Sequence, residues 1–516
     1  VLVHDGLPIM AAGLPAMAAA LCDEGRQAQV WNLHAERRAG LAPDLGTDLE
    51  GVRMLAISVQ WFYQLPPALD LARRARVAGY GGLVVLGGFT ASLWAEDLLE
   101  RHAVVDAVVR GDGEEPLRVL AREIARGRAR LSRVPNLAYR SRGRVRLNPI
   151  DYVGGEEEID RLDFGRLELV RNLGLHLEHS SWRAITDGSP GVDLDLSATF
   201  YLCGGRGCSV ACATCGGGRS AQRAHSDRRG VALRSPSRMA DDVERAVAHG
   251  CTSIHACFDP DPNGAHWHGF MDEVSRRGMR LPMVFESFGL PDERFLARFA
   301  EVFAGGVVVI SPETADEGIR RRIRGFPFSN GELERTLSRI GELDLAAQVF
   351  LGYLAPLEGR EDLYRSRRWA RRLAREHAGY TEVFHFPLST DPGSPLALRP
   401  GRFGMRCRLR RPADWEEGLA RQEPWLGNLL RHEPDAGGAE LWRAVTLGVE
   451  LEQACLRHRP RLHANLERRL GRDLDAFFTR MAAQVLASRD PSTLSRSRLV
   501  DVIDDLAPAG RAAGAS

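Results

Sequence analysis

Short apolar runs alternate with amphipathic stretches over the first 150 residues, and this rhythm sets the first expectation. Residues 1–3, 29–33, 53–59, 83–86 and 107–109 are continuous apolar segments of strand length. Between them, 11–22, 66–77, 94–101 and 115–125 place apolar side chains at helical spacing. Strands without polar alternation are buried on both faces, so the pattern predicts a parallel sheet covered by helices, a doubly wound, Rossmann-like α/β domain over 1–135. Ligands of such sheets bind beyond the carboxyl ends of the strands, here 59–65, 87–92 and 111–115.

The rhythm weakens over 136–195, where Gly154, Gly155 and the acidic run 156–158 read as a linker. It resumes at 196. Strands at 198–202, 253–258, 281–285, 307–310, 348–353 and 382–386 alternate with helices at 237–249, 270–277, 292–303, 331–343 and 362–376. This predicts a partial, TIM-like βα barrel over 196–400, with its chemistry at the strand carboxyl ends. Beyond 401 the pattern is helical, at 415–421, 439–456, 470–488 and 498–506, and reads as a lid or substrate cap.

Composition narrows the function. The chain has 69 basic and 68 acidic residues, a net charge of +1, so no basic excess marks it as a nucleic-acid binder. Every basic residue is arginine; with no lysine, neither a Schiff base to pyridoxal phosphate nor a P-loop lysine is available. No apolar run is long enough to span a bilayer, and the apolar stretch 10–22 reads as the first helix rather than a signal peptide. Four of nine cysteines (Cys203, Cys208, Cys212 and Cys215) fall in one short segment, which points to metal binding in a reducing cytoplasm rather than to disulfides.

That segment holds the chemistry. Cys208, Cys212 and Cys215 form C-x-x-x-C-x-x-C on a glycine-rich loop that follows the first barrel strand. Thiolates suit both zinc and Fe–S clusters. A structural zinc site would recruit Cys203 as fourth ligand. Three thiolates alone would hold three corners of a [4Fe–4S] cubane and leave the fourth iron open.

Spacing and position together resemble the radical S-adenosylmethionine (SAM) superfamily. The resemblance implies that SAM chelates the open iron and is cleaved to a 5′-deoxyadenosyl radical. It also implies SAM-binding roles for Asp259, Ser311, Glu313, Arg324 and Gly352, the arginine pairing with the SAM carboxylate. One departure is Thr214, where the family usually has an aromatic residue beside adenine.

The first domain resembles the cobalamin-binding domain fused ahead of many such barrels. The matching elements are Ser58 with Gln60, the Gly87-Gly88 pair with Thr90, and the Gly111-x-Gly113-Glu114 turn. The resemblance implies that these residues contact cobalamin, with Trp61 facing the lower side of the corrin. The D-x-H-x-x-G motif that supplies a cobalt-ligating histidine is absent; His4-Asp5-Gly6 is a different pattern. The resemblance spans about 1–400.

The implied activity is that of a cobalamin-dependent radical SAM C-methyltransferase acting on an unactivated carbon through the 5′-deoxyadenosyl radical and methylcobalamin. Two alternatives remain: the same cofactors serving a cyclisation, rearrangement or other redox change, and a non-catalytic cobalamin or Fe–S module. Expected partners are a small-molecule, lipid or peptide substrate and a one-electron donor such as flavodoxin or ferredoxin, with no nucleic acid. His255, His266, His268, His385, Tyr353 and Cys257 lie near strand ends or loops and are weighed as substrate contacts against ordinary structural roles.

Overall fold

The computed structural model describes the chain except for residues 8, 11, 128, 180–197, 261–263, 326–327, 354, 408, 421–431, 435–438, 459, 471–473 and 488–516. The expected helix at 498–506 lies outside the described residues.

The first sheet is built from β1 (Leu2–His4), β2 (Val30–Asn32), β3 (Met54–Ser58), β4 (Leu83–Gly87) and β5 (Ala107–Val109), ordered 2-1-3-4-5 and parallel throughout. Val3, Leu55, Ile57, Val84 and Leu86 pack on one face, and Leu2, Ala56, Val85 and Ala107 on the other. Burial on both faces is why these strands read as unbroken apolar runs. The chain turns outward in opposite directions from β1, so the crevice between the carboxyl ends of β1 and β3 is the topological switch point.

Sequence reading missed two further strands. β6 (Leu137–Ser141) and β7 (Arg144–Leu147) form a hairpin that extends the sheet antiparallel from β5. In β7 only Val145 is partly buried beside the exposed Arg144, Arg146 and Leu147, so an edge strand with one solvated face gave little apolar signal. The stretch read as a linker therefore begins inside the sheet.

The second sheet contains β8 (Thr199–Tyr201), β11 (Ser253–Ala256), β12 (Met283–Ser287), β13 (Val307–Glu313), β14 (Ala346–Tyr353) and β15 (Thr381–Pro387). These six strands are parallel and adjacent in chain order, as a partial βα barrel requires. Ile254, Ala256, Met283, Phe285, Ile310 and Leu351 face the helical layer. Val284, Val307, Val309 and Ala346 line the inner face. Between β8 and β11 a small antiparallel ribbon, β9 (Gly205–Arg206) with β10 (Ala232–Leu233), brackets the cysteine segment.

The C-terminal helices depart from the lid expectation. Helix Ala439–His458 packs on β15 and on helix Arg360–Glu376, with Trp442, Val445 and Val449 around Tyr353 and Tyr364. Arg367 donates to Glu452 at 2.9 Å from Nε, and Arg371 reaches Asp475 at 3.0 Å. These helices thicken the outer layer of the barrel. Helix Pro412–Ala420 crosses back to the first sheet, where Trp415 meets Phe62 with ring centroids 5.0 Å apart. Among the described residues no helix is long and apolar enough to cross a membrane.

Candidate functional site

The cysteine loop leaves β9 at Gly207, whose φ is +89°. A Cβ there would lie 2.2 Å from the Gly230 carbonyl, so two backbone segments meet where only glycine fits. The loop then closes on itself and on the barrel. Val210 N–H points at Cys208 Sγ at 3.4 Å, and Gly217 N–H at Cys215 Sγ at 3.3 Å. Ala213 N donates to the Ile323 carbonyl at 2.7 Å, which ties the loop to the helix ending at Arg324. Asp391, beyond β15, accepts from Gly216 N at 2.9 Å and donates its own N–H to Thr214 O at 2.9 Å. Sequence reading did not find Asp391. A lone aspartate in a turn has no periodic signal, and its role exists only because β15 ends beside the loop.

The three thiols form one electrostatic group. Burial raises the pKa of each, Cys215 to about 12, where Asp391 and Cys212 add to the effect. Metal loading must therefore displace protons. Among the described residues no three His, Cys, Asp or Glu side chains converge on one ion-sized point. A cubane makes a different demand, with each thiolate on its own iron. Cys203 is turned elsewhere: its Sγ points at the Gly205 carbonyl at 3.5 Å, and its charged neighbours are Arg234, Arg206 and Asp242.

Three of the expected SAM residues are brought together beside this loop. Arg324 Nη1 lies 3.1 Å from Glu313 Oε1; Glu313 is buried and Arg324 half-buried. Burial opposes the charge on Arg324, but Glu313 and all three thiols outweigh it and raise its pKa. Burial also pushes the Glu313 carboxyl up, against the pull of Arg324. Glu313 adopts φ +65°, at the point where the β13–β14 register slips between Ile310 and Glu313. A non-glycine residue there stores backbone strain, a feature that clusters at functional sites. A Cβ on Gly352 would come within 3.0 Å of Glu313 Oε2 and 3.1 Å of the Leu388 side chain, so the glycine lets both pack against the strand. Ser311 is half-buried on the same strand. Asp259 is placed differently: its fully buried carboxylate accepts Trp267 Nε1–H at 2.8 Å, which pins it to the helical layer.

At the first sheet, Ser58, Gln60, Trp61, Gly87, Gly88, Gly111 and Gly113 form a partly exposed rim at the strand carboxyl ends. Gly87 has nothing nearer its Cβ position than the Val109 carbonyl at 3.9 Å. Gly88, at φ +107°, would drive a Cβ to 2.7 Å from the Val59 carbonyl. The Thr90 hydroxyl bonds the Gln60 carbonyl at 3.2 Å, knitting two of these loops together. Trp61 meets Phe89 edge-on at 5.9 Å, and both flank Gly217 of the cysteine loop. Glu114 is buried and held by Arg206 at 2.8 Å. The rim and the cysteine loop thus face one another directly.

Inside the barrel, His255 Nε2 lies 3.0 Å from Glu286 Oε1, with Tyr201 beside the imidazole at 5.4 Å. Glu286 was not expected from the sequence. His266 packs on Trp267 and His268 on Phe295, while His385 and Tyr353 meet at 5.3 Å on the outer face under the C-terminal helices.

With this geometry in hand, comparison with known proteins becomes specific. No family model matches the chain. The fold is that of cobalamin-dependent radical SAM enzymes. It matches the radical SAM methyltransferase TsrM from Kitasatospora setae, solved with tryptophan substrate and a SAM analogue, at TM-score 0.57 and 17% identity over 79% of this chain and 78% of that one. TsrM with cobalamin and a [4Fe–4S] cluster bound gives the same TM-score, 0.57, over 80% of each chain. The cobalamin-dependent SAM radical enzyme OxsB, with aqua-cobalamin bound, aligns over 98% of this chain and 74% of its own, at TM-score 0.61 and 14% identity. A hopanoid C-3 methylase from Methylococcus capsulatus is 29% identical over 126 residues, a stretch covering 24% of each protein.

Proposed function

We propose that the chain is a cobalamin-dependent radical SAM enzyme, a C-methyltransferase for an unactivated carbon of a small-molecule substrate. One observation carries this reading: the rim of the first sheet, at Trp61 and Phe89, stands against Gly217 of the three-cysteine loop. A corrin on that rim and a cluster on that loop would be neighbours. The likeness to TsrM and OxsB supports the fold half of the argument, and the name of the hopanoid methylase is in keeping with the chemistry.

When bound, the cluster and SAM supply a 5′-deoxyadenosyl radical, and cobalamin supplies the methyl group. The chain's own residues bind and orient. Cys208, Cys212 and Cys215 would hold the cluster. Arg324 presents a guanidinium fork suited to the SAM carboxylate. Glu313 fixes that fork and offers a carboxylate to a cationic or hydroxyl-bearing group, and Gly352 carries no side chain that would displace that carboxylate. Ser58, Gln60, Gly87 and Gly88 form the rim on which the corrin would lie. Phe89 and Trp61 make that junction apolar and exclude water.

The test is anaerobic purification followed by corrin, iron and sulfide analysis, then incubation with methyl-labelled SAM and a one-electron reductant such as reduced flavodoxin. Stoichiometric corrin, about four irons per chain, 5′-deoxyadenosine formation and label in a product are expected. Label-free product with 5′-deoxyadenosine would replace methyl transfer with a redox or rearrangement outcome. Loss of 5′-deoxyadenosine formation altogether would reduce the chain to a binding module.

A further inference from the structure

Four charged side chains occupy the seam between the corrin-side rim and the cysteine loop, and of these only Glu114 is among the cofactor contacts expected from the sequence. Asp112 and Glu114 come from the turn beyond β5, at the start of helix Glu114–Ala125. Arg206 lies on β9, two residues before Cys208, and Arg228 lies between helix Arg219–Ser226 and β10. Arg206 Nη1 reaches Glu114 Oε2 at 2.8 Å and Asp112 Oδ1 at 3.3 Å, while its Nη2 pairs with Glu114 Oε1. Arg228 pairs with Asp112 and donates to the Gly154 carbonyl at 2.7 Å. Gly154 N–H returns to Asp112 at 2.8 Å.

The placement of this lattice is informative. β9 and β10 pair as Arg206 with Ala232, so the ribbon clamps both ends of the segment that carries all three cysteines. The acidic pair begins a helix, where the dipole favours negative charge and where a ligand anion would otherwise sit. Here the protein fills that place with its own carboxylates and caps them with guanidinium forks. Glu114 and Arg228 are 5% exposed and the Arg206 side chain 21%, so bulk salt screens the lattice only in part. Buried ion pairs contribute little net stability compared with apolar packing, and their attested use is to fix register. A bidentate fork constrains both angle and distance, which a hydrophobic contact does not.

We propose that Arg206 is a positioning residue: it fixes the distance and orientation between the corrin-bearing rim and the cluster-bearing loop. This rests on the cofactor assignment above. Glu114, read from sequence as a cobalamin contact, serves as the other half of the strut.

The experiment uses holoprotein loaded with cobalamin and cluster, and compares wild type, Arg206→Gln, Arg206→Lys and the charge-exchanged double variant Arg206→Glu/Glu114→Arg. The cob(II)alamin electron paramagnetic resonance signal is power-saturated with the cluster reduced, because a nearby paramagnetic cluster speeds its relaxation. In Arg206→Gln the half-saturation power is expected to fall several-fold while corrin and iron contents hold. Arg206→Lys, which keeps the charge but loses the fork, should fall part of the way. The double variant should recover. Substrate-free 5′-deoxyadenosine formation is expected within about twofold of wild type in every variant. Unchanged relaxation in fully loaded Arg206→Gln overturns the proposal and leaves the cofactor assignment intact. Wild type that takes up no corrin or no cluster overturns the assignment and the strut with it. Should Arg206→Gln fail to fold, Arg206→Lys decides alone: wild-type relaxation there removes the geometric role.

Discussion

Arg324, half-buried, pairs with the buried Glu313 at 3.1 Å beside the three cysteines, with Glu313 held in a left-handed backbone conformation. The pair joins the helix that anchors the cysteine loop to the strand that faces it. Its members lie eleven residues apart in sequence, and a slip in strand register and a short helix bring them together. In the proposed SAM site this arrangement would present a preset cation to the ligand carboxylate.

Removing the fork should therefore cost ligand affinity. Arg324→Gln is expected to weaken SAM binding by about tenfold to a hundredfold, roughly 1.4–2.8 kcal/mol. Iron content should stay the same. Titration calorimetry on reconstituted protein checks this; equal affinity in the variant would remove Arg324 from the SAM site.

Cys203 and Cys212 separate the cubane from zinc. Cys212→Ala should lose the cluster's absorbance and most of its iron, whereas Cys203→Ser should keep both, because Cys203 points at Gly205 and away from the triad's electrostatic group. Metal analysis reads the result. Iron loss on changing Cys203, or zinc bound in place of iron, would contradict the assignment.

Gly88 should not tolerate a side chain. At φ +107°, with the Val59 carbonyl 2.7 Å from the Cβ position, Gly88→Ala combines backbone strain with a backbone clash. The expected loss is at least about 2 kcal/mol of stability, seen as a lowered unfolding midpoint in urea. A neutral result would mean that the β3 and β4 loops separate freely.

Acid should destabilise the fold as its buried histidines take up protons, His4 and His176 of the first domain among them. Burial lowers the pKa of both His4 and His176 from 6.5 to about 4, and the two imidazoles would repel if both were charged. Above about pH 6.5 each is neutral in either state. Between about pH 6.5 and 4 only the unfolded chain takes up the proton, so stability falls with pH across that window. The slope is about 1.4 kcal/mol per pH unit per histidine. Thermal unfolding of cofactor-free protein at pH 7, 6 and 5 measures it, and His176→Asn should flatten the curve. A midpoint constant over that range would refute the linkage.

The strand and helix rhythm of both sheets was legible because parallel strands buried on two faces must be continuous and apolar: 55–57, 84–86 and 307–310 could be little else. The β6–β7 hairpin was not legible, because an edge strand needs only one dry side. The short helices Phe89–Leu93 and Arg219–Ser226 were missed for another reason. Each is held by contacts with a neighbouring domain or loop, and each is too short for its own periodicity to register.

The sequence by itself determined the ligand types: three thiols spaced on a glycine-rich loop, a glycine-rich rim, and no lysine anywhere. Residue chemistry and local spacing are properties of the chain. Only the tertiary structure decided which groups meet. It set Arg324 against Glu313, gave Asp259 to Trp267, turned Cys203 away, and bound Glu114 to Arg206 across 92 residues. Such pairings depend on strand order, register and the docking of two sheets, and these are fixed by long-range burial that local sequence does not encode.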